Sequence, residues 1–342
     1  MSLLLTDALY GRPTSRRPVW LMRQAGRYLP EYRALRKEHT FEELSGSAEL
    51  SCEVTLQPLR RFPLDAAIIF ADLMSPVPSL GVPVRFAPGP VVDDPIASRA
   101  QIEALRRPSP EEVAPEVARA LALVKPELPE GCALIGFAGA PLSIAAYMVQ
   151  GSGKKSFPAL RALAWSDETA FHTLMERLVE TCAVYMEAQV QAGADALQIF
   201  DSWGGLFSLP DWERLVKRHL VALYEATAHL GVPRIGYFQG SYHLLEGLFD
   251  LPVEAFALDW RVDLGELRRK GVTAALQGNI DPAILLAGPE ATARATRALL
   301  ESVPAQGHVV NLGQGLMPST PIASVAAMVD TVRAEGATMS EG

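Results

Sequence analysis

Two arginines, Arg23 and Arg27, bracket a glycine in PVWLMRQAGRYLPEYR (18–33), directly behind a short apolar run. Arginine stays charged and presents a planar fork of donors that can grip a carboxylate at both oxygens. Further along, Asp72 stands in IIFADLMSP, Tyr147 in GAPLSIAAYMVQGSGKKS, Asp201 and Ser202 in FDSWGG, and Gln314 in NLGQG. Gln239, Ser241, Asp259, Asn279 and Asp281 fall between them, with a single histidine, His243, close by. No nucleophile–base pair and no metal-ligand set at a helical spacing stands out. Arginines, amides, hydroxyls and carboxylates suit gripping a carboxylate-bearing molecule better than hydrolysing one.

Each of these residues follows a short apolar run. The runs are PVWLM (18–22), AAIIF (66–70), CALIGFA (132–138), ALQIF (196–200), VPRIGYF (232–238), FALDW (256–260), AALQG (274–278) and HVVNLG (308–313). Near-continuous apolar strands are what a parallel sheet covered by helices requires. The stretches between them have helical periodicity; 165–194 is one, with Ser166 or Asp167 as its cap. Eight strand–helix units predict an α/β fold, a single (β/α)₈ barrel over 1–342 with an ordered core of about 5–335. The runner-up, an open doubly wound sheet, lacks a G-x-G-x-x-G at a strand-to-helix junction. The Pro- and Gly-rich SPVPSLGVPVRFAPGPVVDDP (75–95) predicts a hairpin-like excursion after the second strand, and the tail after Met328 should fray at ATMSEG. In such a barrel, chemistry sits on the loops behind the strands, where these polar residues fall.

The formal net charge of −8 argues against nucleic acid or an anionic membrane surface as the main partner, and leaves room for an anionic small substrate. No apolar run is long enough for a transmembrane span. MSLLLTDALYGR lacks a basic n-region and a cleavage site, so no signal peptide is expected. Cys52, Cys132 and Cys182 are odd in number and widely separated, which suits buried small hydrophobes and a reducing, cytoplasmic setting. Taken singly, each candidate has an ordinary alternative. The arginines could be salt-bridged to Glu31, Asp72 could cap a helix, Tyr147 could be core, and Ser202, Gln314 and the glycines could serve turns.

Together, RQAGRYLPEYR, FADLM, GAPLSIAAYMVQG, IFDSWGG, ALDW, QGNIDP and NLGQG run in order over nearly the whole chain. In this the chain resembles the uroporphyrinogen decarboxylases. The resemblance implies a single barrel, a homodimer, and no metal or organic cofactor. It implies removal of carboxyl groups from the four acetate side chains of uroporphyrinogen III, giving coproporphyrinogen III in porphyrin and haem biosynthesis. The family's substrate-binding segment falls on Arg23, Gln24, Ala25, Gly26 and Arg27, its central catalytic aspartate on Asp72, its tyrosine on Tyr147 and its serine on Ser202. Two other readings go with the resemblance. One is a non-catalytic tetrapyrrole-binding paralogue. The other is a cobalamin-dependent methyltransferase relative, which would need a histidine–cysteine metal set that is not spaced correctly here.

One position departs from the pattern. The family usually has histidine within N-L-G-H-G, and this chain has Gln314. Glutamine donates and accepts hydrogen bonds but is no general acid. His308, six residues upstream on an extended strand, stands about 20 Å away. Gln314 is therefore expected to orient a substrate carboxylate. Gly26 is expected to allow the tight turn between the arginines, and Pro30 to start a helix that carries Arg33 to solvent. The glycine-rich GSGKKS (151–156) could cover the cleft, with Lys154 and Lys155 more simply read as solvated.

Overall fold

The computed structural model describes residues 3–153 and 156–336, so Lys154, Lys155 and the ATMSEG tail lie outside the described residues. Seven parallel strands curl in the order β1 (Ala66–Ile68), β4 (Ala133–Gly139), β5 (Ala196–Asp201), β6 (Arg234–Phe238), β7 (Ala255–Leu258), β8 (Ala275–Gln277) and β9 (His308–Val309). Almost every residue in them is buried, because helices cover one face and side chains fill the other. Inside, Gln277 links Trp20 Nε1 at 3.0 Å to Gln198 at 2.9 Å.

The eighth staff of the barrel is PVWLM, but it forms only a parallel bridge, Val19 to Val310. The reason is local. Pro18 has no N–H, and side chains intercept the N–H groups that a strand would offer its neighbour. Val19 N donates to Asp65 Oδ2 at 2.8 Å, Leu21 N to Gln24 Oε1 at 3.0 Å and Met22 N to Asn311 Oδ1 at 2.9 Å. The segment still closes the ring, since Asp65 N donates to Val19 O and Val310 N to Pro18 O, each at 2.9 Å. HVVNLG is likewise strand only at its start, continuing as isolated bridges at Val310 and Leu312.

The excursion after β1 contains a two-stranded antiparallel hairpin, β2 (Arg85–Phe86) with β3 (Pro90–Val91). The long helix Glu168–Gln191 is capped by Asp167, whose side chain accepts Ala170 N at 3.0 Å. Helix Ile322–Glu335 runs on past Met328, so that end of the chain stays ordered through Glu335. It packs Val325, Met328, Val329 and Val332 into an apolar cluster with Val19, Leu21 and Leu29.

Candidate active site

The loop behind the first staff turns back sharply, and the residue in the left-handed region is Arg23 itself, at φ 61°. Gly26 was expected to supply that freedom. Its role is instead close approach, since a Cβ there would stand 3.1 Å from Arg23 O. Gln24 is 0% exposed, with Oε1 accepting Leu21 N and Nε2 donating to Ala66 O at 2.9 Å. It holds the loop to the barrel wall rather than facing the mouth. Ala25 and Gly26 are half-buried, while Arg23 and Arg27 are exposed. Arg33, expected in solvent, is exposed but bends back, donating through Nη1 to Arg27 O and Tyr28 O, each at 3.0 Å.

Neither Arg23 nor Arg27 is ion-paired among the described residues; Glu31 is instead engaged bidentately by Arg61, at 2.5 and 2.8 Å. The Arg23 side chain lies across the loop behind β9. A Cβ on Gly315 would stand 2.4 Å from Arg23 Cδ, so a side chain there would push that arginine from its present course. The same loop is tied down by Leu316 N donating to Met22 O at 2.9 Å and by Tyr237 Oη donating to Gly313 O at 3.0 Å. Gln314, between these ties, is half-buried and spends its side chain on no protein partner among the described residues.

Asp72 follows β1 in an Asx-type turn. Its Oδ1 accepts Met74 N at 2.8 Å, and its own N donates to Ser75 Oγ at 3.2 Å. Burial pushes its carboxyl up to about 6; the Met74 N–H and then the Arg23 charge act against that shift. Tyr147, half-buried on the helix Pro141–Gln150, is also raised by burial. Asp72 adds to that shift and Arg23 reduces it. Arg23, Asp72 and Tyr147 therefore sit in one another's fields at the C-terminal mouth of the barrel. Ser202, directly behind β5, is half-buried with its hydroxyl unspent on protein among the described residues. Arg27 stands apart on the rim, where its charge acts on Tyr32.

The other strand-end polar groups are spent on structure, except Gln239, which is half-buried with no side-chain partner among the described residues. Asp259 accepts Arg261 N at 2.9 Å and Arg261 Nη1 at 3.0 Å, and also holds Gly240 N. Asn279 Nδ2 donates to Asp259 O and Val262 O, Asp281 caps a helix by accepting Ala283 N, and Ser241 donates to Phe238 O. His243 Nε2 meets Phe207 O at 2.8 Å. Asp201 is buried, with Oδ1 accepting Trp203 N and Gly204 N at 3.3 and 2.8 Å. His308 is fully buried at the start of β9, and burial drives its imidazole down to about 3, leaving it neutral.

Sequence reading missed that Arg23 carries the strained backbone, that Arg33 buttresses the loop, and that Gly315 makes room for Arg23. A glycine behind the candidate Gln314 was the only visible signal for the last of these. Among the described residues, no group of three or more His, Cys, Asp or Glu side chains is gathered to hold a metal ion.

The chain is similar to known proteins both in fold and in sequence. A solved methyltransferase from Methanosarcina mazei superposes with TM-score 0.81 over 98% of this chain and 99% of its own, at 19% identity. That likeness speaks for the fold alone. The uroporphyrinogen decarboxylase of Alkalilimnicola ehrlichii is 42% identical over 97% of this chain and 94% of its own length. That of Syntrophotalea carbinolica is 41% identical over 95% and 96%. Residues 3–335 match the family model described as Uroporphyrinogen decarboxylase (URO-D). With a family match across nearly its whole length and relatives this similar, the chain belongs to the uroporphyrinogen decarboxylase family.

Proposed function

We propose that this protein decarboxylates the acetate side chains of uroporphyrinogen III to give coproporphyrinogen III, the acetates becoming methyl groups. The observation that carries the reading is the pairing of unlike needs at one mouth. Arg23, without an acidic partner, acts on a half-buried carboxylate, Asp72, whose Oδ2 has no protein donor among the described residues, and Arg27, equally unpaired, stands on the rim. An octa-anionic macrocycle whose centre is a ring of pyrrole N–H donors satisfies both.

Loss of CO₂ from a pyrrole acetate breaks a C–C bond and leaves its electron pair on the methylene carbon. Protonation of the adjacent pyrrole makes the ring cationic, and that ring takes up the pair. A second proton then converts the methylene to methyl as the ring loses its own. Asp72, its carboxyl pushed up to about 6 and so mainly ionised at pH 7, stabilises the cationic ring and accepts pyrrole N–H bonds. Those donors favour the charged form further once substrate is bound. Arg23 and Arg27 grip substrate carboxylates on one side, with Gln314 beside Arg23, and Tyr147 and Ser202 on the other. A cytoplasmic homodimer follows from the family resemblance.

The test is anaerobic incubation with uroporphyrinogen III and chromatographic counting of product carboxyls. Passage from eight through seven, six and five to four is expected. Tight binding with no loss of carboxyls would favour a tetrapyrrole-binding protein instead.

A further inference from the structure

Tyr147 and Ser202 come from different strand–helix units, yet several ties run between them. The helix that carries Tyr147 begins where Ala140 N donates to Phe200 O of β5 at 3.0 Å. One turn on, Ser143 Oγ accepts Ser202 N–H at 2.9 Å. Ser143 and Tyr147 are four residues apart, on one face of that helix. At the far end, the Phe157 ring is wedged between Tyr147, with centroids 5.4 Å apart, and Trp203, at 4.7 Å. Phe157 adopts φ 39°, a left-handed conformation that a bulky residue keeps only where its surroundings over-determine it. With Asp201 holding the N–H groups of Trp203 and Gly204, three consecutive N–H groups behind β5 are held by side chains.

We infer that Ser143 and Phe157 are positioning residues that fasten Tyr147 and Ser202 into one rigid carboxylate-binding unit. Neither can touch substrate, since Ser143 is 1% exposed and Phe157 0%. They act by fixing the separation of two hydroxyls that protrude into the mouth, which removes the ordering cost that binding would otherwise meet. The inference rests on the reading of Tyr147 and Ser202 as substrate contacts.

Steady-state kinetics of the full-length protein test it. Ser143→Ala and Phe157→Leu should each raise KM about tenfold while kcat stays within about threefold, because uniform binding is what they weaken. Ser143→Thr keeps the acceptor oxygen and should restore KM to within about twofold. In a Ser202→Ala background, Ser143→Ala should cost less than about threefold, and in Arg27→Ala the full tenfold, since only coupled sites depart from additivity. Phe157→Leu should lose its effect in Tyr147→Phe in the same way. Wild-type KM in both brace variants, no rescue by threonine, or an undiminished effect in the Ser202→Ala background would overturn the inference. If Ser202→Ala and Tyr147→Phe themselves keep wild-type KM, the contact reading falls and the brace with it. If those two raise KM and the brace variants do not, the brace alone falls. Should Phe157→Leu not fold, the Ser143 pair of variants carries the test alone.

Discussion

The two ends of the barrel treat charge in opposite ways. At the N-terminal end an acid stands one residue ahead of a strand three times over: Asp65 before β1, Asp195 before β5 and Glu254 before β7. Each accepts the backbone N–H of a neighbouring staff and pairs with a cation. Asp65 takes Val19 N at 2.8 Å and Arg16 at 2.5 Å, Asp195 takes Leu134 N at 2.7 Å and Lys125 at 2.5 Å, and Glu254 takes Arg234 N at 2.8 Å and the Arg234 guanidinium at 2.6 Å. At the C-terminal end Asp259 pairs with Arg261, but among the described residues Arg23 and Arg27 have no acid and Asp72 only a backbone N–H. One end closes the barrel, and the other leaves its charge for something that must come from solution. A barrel can hold both because its strands separate stability at the bottom from chemistry at the top.

Neutralising one acid at each end separates the two uses. Asp72→Asn should lower kcat/KM at least about a thousandfold, roughly 4 kcal/mol of barrier, with the fold intact. Near-normal kcat would remove the cation-stabilising role. Its effect on stability has the opposite sign from a structural acid's. The folded-state pKa of Asp72, about 6, lies above its ordinary 3.8, so the ionised carboxylate weighs against folding. The asparagine variant should unfold at higher denaturant than wild type above pH 6, and that gap should close as pH falls towards 4. Wild-type kcat/KM should also fall below about pH 6 as the free carboxyl takes up its proton, and the residual activity of the variant should lack that limb.

At the other end, Asp65→Asn leaves Arg16 without its charge partner and with a single oxygen to share with Val19 N. Breaking such a pair costs about 3 kcal/mol. Urea unfolding should show that loss, while kcat stays within about twofold. A folded variant that is inactive would mean the two ends are not separable.

What could be read in advance follows the same division. The apolar runs that became β1 and β4 to β8 were legible because strands buried on both faces must be apolar along their length. PVWLM looked the same and is not a strand. What displaced it was Asp65, Gln24 and Asn311 reaching its N–H groups, and the partners of Val19 and Met22 lie far away in sequence. The ion pairs at the bottom were invisible for that reason too, with Arg16 and Asp65 separated by 49 residues and Lys125 and Asp195 by 70. The residue types behind the strands were legible, since arginines, amides, hydroxyls and carboxylates together suggest a carboxylate-bearing ligand, but not that Glu31 would pair with Arg61 instead of Arg23 or Arg27. Their geometry was not, because the backbone of Arg23 answers to Gly26 and its side chain to Gly315, across the closure of the barrel.

The smallest expected effect falls on the residue where this chain departs from its family. Gln314 spends nothing on the protein among the described residues, and Gly315 beside it is where Arg23 crosses the loop. A histidine placed there by Gln314→His would stand near that permanent cation, which disfavours the imidazolium and holds the pKa below its usual ~6.5. At neutral pH such a ring is uncharged, with one donor and one acceptor, much like the amide it replaces. Activity should therefore shift by less than about tenfold in either direction, or 1.4 kcal/mol. A gain above about a hundredfold would show that the mouth lacks a proton donor that glutamine cannot supply. The upper end of the barrel would then be short of an acid as well as open to a ligand.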